Sequence, residues 1–455
     1  MSSSEVPPSS ASPSPLEEEF WETDASRIRR WFPWLHLFQA FRIAMDYRKI
    51  LLAILAVVAL AAGEWGFSKL PFAPKTFRTA WPWEADYFHP ETAAAFAEPG
   101  TPAPNPTVNT RSLNLSGIPW LDLRVLRPYQ DFITAGYPLI SPTRSWGETA
   151  TAWTKLLWLL IVTGLCGGVI ARLAALNLSG KDCSLRSALR YCLARFASYL
   201  GAPLLPAVAI FLLWLLCAAG GLVASIPYLG AWLASALWFL PLIFGLMMAI
   251  ILLGAAAGWP LMYATVSTEG SDAFDGLSRS YSYLFSRPWY ALWLLFLTSL
   301  YGAALVLFLH FVLDFGAKCA FWGVGSGLGH EGLQTLVPSE FPSIPGEARR
   351  VPWAGEMTEF WMNGLRTIEP AFLFSFFWTA ATISYVLLRR SVDATPIEAV
   401  DEDLKPSDEF PLVGVPAVER REAAAAPPPP PSAVAPAAAE APAAGTELPP
   451  TAPTA

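Results

Sequence analysis

Three consecutive stretches decide the fold: PLLPAVAIFLLWLLCAAGGLVAS (203–225), IPYLG (226–230) and AWLASALWFLPLIFGLMMAIILLGAAAGW (231–259). They contain no Asp, Glu, Lys or Arg. Because an α-helix rises 1.5 Å per residue, about 20 apolar residues cross the ~30 Å hydrocarbon core of a bilayer. The first and third stretches are long enough to do so, and the second is a short link. The sequence therefore predicts an antiparallel hairpin of two transmembrane helices.

Apolar runs of similar length recur on both sides of this hairpin. We predict six transmembrane helices, called spans 1 to 6, at about 50–67, 153–173, 203–225, 231–259, 289–315 and 371–388. Pro241 lies within span 4, where we expect it to kink the helix. The predicted fold class is all-α, a polytopic transmembrane bundle of about six spans with interfacial amphipathic helices and disordered tails.

The composition of the 455 residues supports this class. Hydrophobic residues make up 54% and charged residues 15%, whereas about 25% of residues are charged in ordinary soluble domains. The mean hydropathy is +0.39. A soluble core could not hold this much apolar surface, so the composition excludes an ordinary soluble fold and indicates a membrane protein.

The charges divide the chain into three parts. Residues 1–24 carry six acids and no base, and residues 391–455 carry eleven acids and three bases. Of the chain's 30 basic and 37 acidic residues, 27 and 20 remain in 25–390. We therefore predict a basic transmembrane domain at 25–390 between two acidic tails. The tails are Ser/Pro-rich and Pro/Ala-rich, and such compositions are typical of disorder.

Basic residues concentrate before span 1, between spans 2 and 3, between spans 4 and 5, and after span 6, so six spans place them all on one side. They are Arg42, Arg48, Lys49, Arg172, Lys181, Arg186, Arg190, Arg195, Arg279, Arg287, Arg389 and Arg390. Since basic loops stay in the cytoplasm, we predict a multi-pass inner-membrane protein with cytoplasmic N- and C-termini. The loops 68–150 and 316–368 are then external, and we expect partly ordered caps there.

Amphipathic helices are expected on the cytoplasmic side, before spans 1, 3 and 5. In 184–200 the apolar face is Leu185, Leu189, Cys192, Phe196 and Leu200, and the basic residues off it are Arg186, Arg190 and Arg195. In 271–289, Ser271 is the expected N-cap, and Asp275 can pair with Arg279 four residues later. Such helices serve as interfacial elements or dock a partner or lipid, and their repetition before spans indicates an old duplication.

Small residues four apart occur in two spans. Gly164 and Gly168 in span 2, and Gly254 and Gly258 in span 4, have the spacing that lets helix backbones approach closely. We interpret them as packing positions within one bundle, with a homodimer seam as the alternative, so the oligomeric state stays open.

Few ionisable residues lie within the predicted spans. His310 and Asp314 in span 5 share a helix face at i,i+4, which makes them a possible transport or polar pair. Both lie toward the outer end of the span, as does Glu64 in span 1. An interfacial or structural role and a proton or ion relay are both compatible with these positions.

The sequence carries none of the common catalytic motifs. The sequence has no HExxH, GxSxG or GxxxxGK[ST] motif, and the Gly-rich run GVGSGLG (323–329) lies in a predicted external loop. Its five cysteines form no CxxC pair, and its four histidines are scattered. We therefore predict no enzymatic activity, no cofactor, no metal site and no nucleic-acid partner.

The stretch TEGSDAFDGLSRSYSYLFSRPWYALW (268–293) resembles a segment of uncharacterised multi-pass membrane proteins of planctomycete-type bacteria. The layout of basic amphipathic helices before spans is loosely similar to the membrane domain attached to some glycerophosphodiester phosphodiesterases. The first resemblance implies a multi-pass membrane protein and no known activity. The second concerns architecture alone, because the hydrolase domain has no counterpart in this sequence.

These observations favour a non-enzymatic structural or accessory component of the envelope. Its expected partners are the lipid bilayer, anionic lipids at the basic cytoplasmic helices and proteins that bind the C-terminal tail. The alternative hypothesis is a transporter or channel with a path along spans 4 and 5. A lipid-modifying enzyme is a third, weaker hypothesis, since it would need acids and a histidine to meet at one membrane face.

Overall fold

The computed structural model describes residues 31–71, 123–140, 146–227, 229–337, 352–397 and 399–400. All of them belong to the first of two units of the chain, 1–403. The predicted N-terminal tail, nearly all of the predicted C-terminal tail and much of the predicted loop 68–150 lie outside the described residues.

Six described helices are long and apolar enough to cross a membrane, which confirms the predicted number. The described part of the chain has no β-strand, so this is an all-α multi-pass membrane protein. Spans 1 to 6 are Tyr47–Ser68, Trp146–Leu178, Phe196–Ala224, Phe239–Glu269, Pro288–Gly329 and Trp353–Asp393.

Spans 1, 3 and 5 begin at the end of the bundle where spans 2, 4 and 6 finish, and we call this the basic end. Three hydrogen bonds join starts to finishes: Lys49 Nζ to Asn177 Oδ1 (3.0 Å), Arg195 Nε to the Gly270 carbonyl (3.0 Å), and Tyr283 OH to Asp393. At this end, the start of span 1 is thus tied to span 2, and the segments that lead into spans 3 and 5 are tied to the ends of spans 4 and 6.

Two short helices lie at the basic end, each directly before a span. The first basic-end helix is Leu185–Ala194, and the second basic-end helix is Ala273–Ser286. One arginine with non-helical backbone angles separates each from its span: Arg195 (φ −108°, ψ 17°) and Arg287 (φ −134°, ψ 58°). The matching arrangement agrees with the duplication hypothesis, which remains a prediction.

Both basic-end helices differ in detail from the sequence expectation. The first ends at Ala194 and does not continue to residue 200, and it buries Ala188, Tyr191 and Cys192 while Leu189 is 38% exposed. The second is capped by Asp272, whose side chain accepts the Asp275 N–H (2.8 Å), and not by Ser271. Buried tyrosine and small residues therefore define the packed face better than leucine does.

The N-terminal helical segment consists of a 3-10 helix, Pro33–Gln39, and an α-helix, Ala40–Ala44. It packs along spans 5 and 6 through three contacts: Phe38 with Tyr301 (ring centroids 4.9 Å apart), Phe41 with Phe372 (6.1 Å), and the Ala44 carbonyl with Ser375 Oγ (2.8 Å). Leu37, Ala40 and Ala44 are fully buried. This segment therefore packs against spans 5 and 6 through one buried face, and its position in the membrane interface stays a prediction.

Spans 2 and 6 form the centre of the bundle. In each, 89% of the most apolar 18-residue window is buried, against 0% in span 3 and 11% in span 4. Span 2 carries a π-helical turn at Thr163–Gly167. A methyl group on Gly167 would lie 2.5 Å from the Trp378 ring of span 6, so only glycine allows this approach.

Helix also occupies parts of the two predicted loops. Arg127–Ile140, which we call the inserted helix, follows a 3-10 turn at Leu123–Leu126. Span 5 continues past residue 315 through the Gly-rich run, up to Gly329, where φ is +78°. Glycines are poor helix formers in water, but the surrounding apolar residues of this run sustain the helix until the left-handed residue ends it.

Span 4 starts later than predicted, because a turn at 237–238 interrupts the helix. A separate helix, Leu229–Ala236, precedes the break. Pro241 lies in the first turn of Phe239–Glu269, where its missing N–H has no helical acceptor to lose. The expected kink therefore occurs as a break of the helix at 237–238, directly before the turn that holds Pro241, and Pro260 is the proline inside Phe239–Glu269.

Candidate functional site at the basic end

Glu269 is the last residue of span 4, directly before Gly270, which has the left-handed φ of +68° that ends the helix. Its side chain is only 10% exposed. The carboxylate accepts hydrogen bonds from Tyr385 OH and from Arg279, and it forms an ion pair with Arg389 Nε (3.1 Å). One buried acid thus joins span 4, span 6 and the second basic-end helix.

Arg279 also donates to Asp275, with 2.9 Å between Nε and Oδ1, in the i,i+4 geometry predicted from the sequence. The hydrogen bond to Asp275 and the negative charge of Glu269 hold the pKa of Arg279 above its ordinary value. The guanidinium is therefore a permanent cation between two acids, and it fixes the second basic-end helix against the bundle.

The last turn of span 6 extends this cluster. Tyr283 donates to Asp393, and burial followed by this contact raises the pKa of Tyr283 to about 12. Arg389 donates to the Ala399 carbonyl (2.8 Å), which holds the chain after span 6 against the basic end. We call these seven residues the Glu269 cluster: Glu269, Asp275, Arg279, Tyr283, Tyr385, Arg389 and Asp393.

A second cluster surrounds Tyr191 of the first basic-end helix. The Tyr191 hydroxyl donates to the Val266 carbonyl of span 4 (2.8 Å). The guanidinium groups of Arg172 and Arg195 lie 4.0 and 4.4 Å from the centre of its ring, within the range of cation–π attraction. Arg172 also donates to the Ser267 carbonyl (2.8 Å). The buried guanidinium of Arg172 is thus stabilised by an aromatic face and by a backbone carbonyl.

Tyr199 lies behind this cluster and packs on the predicted glycines of span 2. A methyl group added to Gly168 would lie 3.0 Å from the Tyr199 ring, and one added to Gly164 would lie 3.5 Å from its Cβ. The Tyr199 hydroxyl bonds Ser267 Oγ (2.8 Å) and accepts from Cys192 Sγ (3.6 Å). Burial raises the pKa of the Cys192 thiol to about 12, so this cysteine is a packing residue and not a reactive thiol.

The predicted glycines of span 4 face the second basic-end helix. A methyl group on Gly254 would clash with the Tyr281 ring, and one on Gly258 would lie 3.8 Å from Ser280 Cβ. The space beside both pairs of glycines is therefore filled by side chains of the same chain. That arrangement supports packing within one bundle.

Arg186 and Arg190 point away from the bundle on the first basic-end helix. Both are exposed, as is Leu193 beside them. Neither guanidinium has a hydrogen bond or ion pair with another residue in the described part of the chain. These two predicted basic residues are thus available to a partner outside the protein, whereas Arg195 and Arg279 serve internal contacts.

His310 and Asp314 have separate partners. His310 Nδ1 lies 3.1 Å from Glu369 Oε2 of span 6, and the Glu369 side chain is 8% exposed. Asp314 pairs with Lys318 at 2.7 Å on the exposed surface of span 5. The buried acid of this region is therefore Glu369, a residue that the sequence reading did not select.

Sequence reasoning missed Glu269 and Tyr191, and it counted Lys49 only as a basic residue before span 1. Polar residues at or near a span boundary are ordinarily attributed to solvent or headgroups. Lys49 is fully buried and donates to the Ile43 carbonyl (2.8 Å) as well as to Asn177. The available signal for Glu269 is its position: a lone acid directly before glycine, at the end of an apolar run that adjoins an arginine-bearing helix.

The fold and these contacts define the class as an all-helical multi-pass membrane protein whose basic end is fixed by buried ion pairs. Among the described residues, no group of three or more His, Cys, Asp or Glu side chains is arranged to hold a metal ion. Comparison with protein-family models, curated proteins and solved structures gives no match for this chain.

Proposed function

We propose that this chain is a non-enzymatic structural or accessory component of a bacterial inner membrane. The observation that carries the proposal is how the charges of the basic end are used. Glu269 binds two arginines and a tyrosine, and Arg172 binds a carbonyl and an aromatic ring. Such groups fix helices in place. The bacterial assignment rests on the resemblance of 268–293.

The basic end faces the cytoplasm in this proposal, with both termini on that side. The support is the concentration of lysine and arginine there, since positively charged loops remain on the cytoplasmic side. Reporter fusions at positions 110, 183, 277 and 340 should read outside, inside, inside and outside. An outside signal at 183 would contradict the orientation.

Anionic lipid is the proposed partner of the first basic-end helix. Arg186 and Arg190 lie one turn apart on its exposed face, flanked by exposed Leu189 and Leu193. Arginines beside apolar residues fit the boundary between phosphate headgroups and acyl chains.

Native mass spectrometry of the full chain with phosphatidylglycerol or phosphatidylcholine tests this partner. We expect the double variant Arg186→Gln/Arg190→Gln to retain several-fold less phosphatidylglycerol and the same amount of phosphatidylcholine. The matched control is Lys318→Gln, an exposed cation on span 5, which should change neither. Equal phosphatidylglycerol retention by the double variant and the wild type would reject the site.

The C-terminal tail is the proposed binding segment for other envelope proteins. Support comes from the chain after span 6, where Arg389 holds Ala399, and Ile397 and Val400 are buried. The tail therefore starts from a fixed point on the basic end. Crosslinking in cells should give products with the full chain that disappear when the chain stops at residue 403. Identical products from both chains would contradict the proposal.

The alternative, a transporter with a path along spans 4 and 5, is modified by one observation. His310 of span 5 pairs with the buried Glu369 of span 6, so the polar pair favours a path between spans 5 and 6. Proton flux into proteoliposomes that exceeds the lipid background and is lost in Glu369→Gln would favour this function over a structural one.

A further inference from the structure

Most of spans 3 and 4 stands clear of the other helices. We call residues 207–253 the arm and the rest of the bundle the body. Within the described residues of the arm, only Gly230 is buried, and a methyl group on it would clash with the carbonyl of Val223 in the arm itself. Methyl groups on Gly221 and Gly245 would meet nothing within 4 Å. The arm therefore packs mainly on itself and meets the body only at its root.

The roots of the arm are, by contrast, buried in the body. In span 3 the last buried residue before the arm is Pro206, and in span 4 burial starts again at Gly254. From Trp259 to Thr268 every residue of span 4 is buried. The boundary between bare and packed helix is thus sharp in both spans.

Prolines lie at the roots of both helices: Pro203 and Pro206 in span 3, and Pro260 in span 4. Pro206 and Pro260 are the ones nearest to the arm. Pro206 is ten residues from the start of span 3, and Pro260 is nine residues from the end of span 4. At 1.5 Å per residue both are about 14–15 Å from the basic end. Each lacks an N–H, so the carbonyls of Ala202 and Ala256 lose their helical donor, and such sites bend readily.

Two tyrosines from the body hold span 4 beside this line of prolines. Tyr281 of the second basic-end helix donates to the Ile251 carbonyl (2.6 Å), and its ring fills the space beside Gly254. Tyr129 of the inserted helix donates to the Ala257 carbonyl (3.3 Å). Both bonds end on backbone carbonyls of span 4 that precede Pro260: Ile251 is near the end of the arm, and Ala257 lies between the arm and the proline.

We propose that the arm is a hinged unit that swings relative to the body about Pro206 and Pro260, with Tyr129 and Tyr281 as latches. The helices of spans 3 and 4 move together because the short helix Leu229–Ala236 connects them and they pack on each other. Lipid can cover the arm in any orientation, so the protein packing that resists the motion is confined to its root, at residues 254–259. A few residues that absorb the bend while the flanking helices stay rigid are the usual basis of hinge motion.

Distance measurements between spin labels on the full chain in lipid nanodiscs test the hinge. One pair joins arm and body through Ser225→Cys and Ala150→Cys, in a background where the native cysteines are replaced by alanine. The control pair, Ser184→Cys and Ser282→Cys, lies on the two basic-end helices. We expect a distribution at least twice as wide for the first pair as for the control. Equal widths would overturn the proposal.

Two sets of variants separate the hinge from the latches. Pro206→Ala/Pro260→Ala restores both missing N–H groups, so we expect the arm-to-body distribution to narrow to the control width. Tyr281→Phe and Tyr129→Phe remove only hydroxyl groups, so we expect it to widen further. A distribution unchanged by the proline variant would reject these prolines as the hinge, and one unchanged by both phenylalanines would reject the latches.

Hydrogen–deuterium exchange of the unsubstituted chain provides a second test that no substitution can disturb. Bending at Pro260 opens the adjacent helical turn, so the amides of 256–261 should exchange at least tenfold faster than those of 374–378 in span 6. Similar protection in the two segments would contradict a hinge at this level.

Discussion

Spans 2 and 6 are somewhat less apolar than spans 3 and 4, but all four are apolar enough to cross a membrane; the first two lie inside protein, and the arm of spans 3 and 4 does not. Spans 2 and 6 contain buried hydroxyl side chains, among them Thr163, Ser375, Thr379 and Thr382. The described part of the arm has only serines, at 225 and 235, as hydroxyl residues. Hydropathy thus identifies a span, while small hydroxyl residues distinguish a packed span from one that faces lipid; glycine and tryptophan do not, because the arm contains them too.

Replacing one tryptophan in each region should give the largest difference in the free energy of unfolding. Trp378 is fully buried and stacks on Tyr263 at 5.1 Å, so Trp378→Ala should lower the free energy of unfolding by about 3–5 kcal/mol. Trp214 of the arm is 55% exposed, and Trp214→Ala should lower it by less than about 0.5 kcal/mol. Equilibrium unfolding in detergent micelles measures both, and equal losses would break the comparison.

Ion pairs should differ in the same sense between the basic end and the exposed part of span 5. Glu269→Gln leaves Arg389, which is 14% exposed, without its anion, and we expect a loss of about 3 kcal/mol. Asp314→Asn removes an exposed pair with Lys318, and we expect less than about 1 kcal/mol. Unfolding at two salt concentrations checks this, since only the Asp314 pair should weaken strongly with salt.

Glycine positions sharpen the comparison further. Gly167→Ala forces a methyl group against the Trp378 ring, and such overpacking should cost about 1–3 kcal/mol. Gly245→Ala in the arm meets open space, and it should be neutral or slightly stabilising because alanine favours helix. Melting temperatures of the two variants, measured side by side, test this, and a destabilised Gly245→Ala would mean that the arm is packed.

The smallest expected effect concerns the start of span 1. Asp46 caps this helix, and its side chain accepts the Arg48 N–H at 3.1 Å. Although burial alone would raise it, hydrogen bonds from Arg48 hold the pKa of Asp46 below its ordinary value of 3.8. The stability that Asp46 contributes is therefore present above pH 3.8 and lost as the pH falls through the lowered pKa.

Two variants separate the cap from the charge of Asp46. Asp46→Ala removes the cap and should cost about 1 kcal/mol at pH 7. Asp46→Asn keeps the cap, so we expect a smaller loss at pH 7 and no further loss below pH 3.8. Unfolding curves between pH 3 and 7 measure this, and an acid-sensitive Asp46→Asn would show that another group titrates there.

The sequence could predict the six spans because each is a long apolar run that needs no knowledge of its neighbours. It could not predict the inserted helix, since Arg127–Ile140 mixes Arg127, Gln130 and Asp131 with apolar residues and is stabilised by contacts with other spans. Glu269 meets Tyr385, which is 116 residues away in the sequence. Such a meeting depends on tertiary geometry that no local spacing encodes.

Asp275 and Arg279 show the opposite case. Their contact is local, four residues apart on one helix, and the spacing alone was sufficient to predict it. The pair His310 and Asp314 has the same spacing, but Glu369 and Lys318 are the partners that the structure gives them. A helical interval therefore predicts which side chains share a face, and not which of them bind each other.

The position of the N-terminal helical segment has a consequence for how the protein is made. The Ala44 carbonyl accepts its hydrogen bond from Ser375, 331 residues later. At about 5–20 residues per second, a ribosome needs roughly 20 s to 1 min to make the chain between them. The N-terminal helical segment therefore cannot complete its packing until span 6 has been made. Truncation before Ser375 leaves this segment without its hydrogen-bond partner.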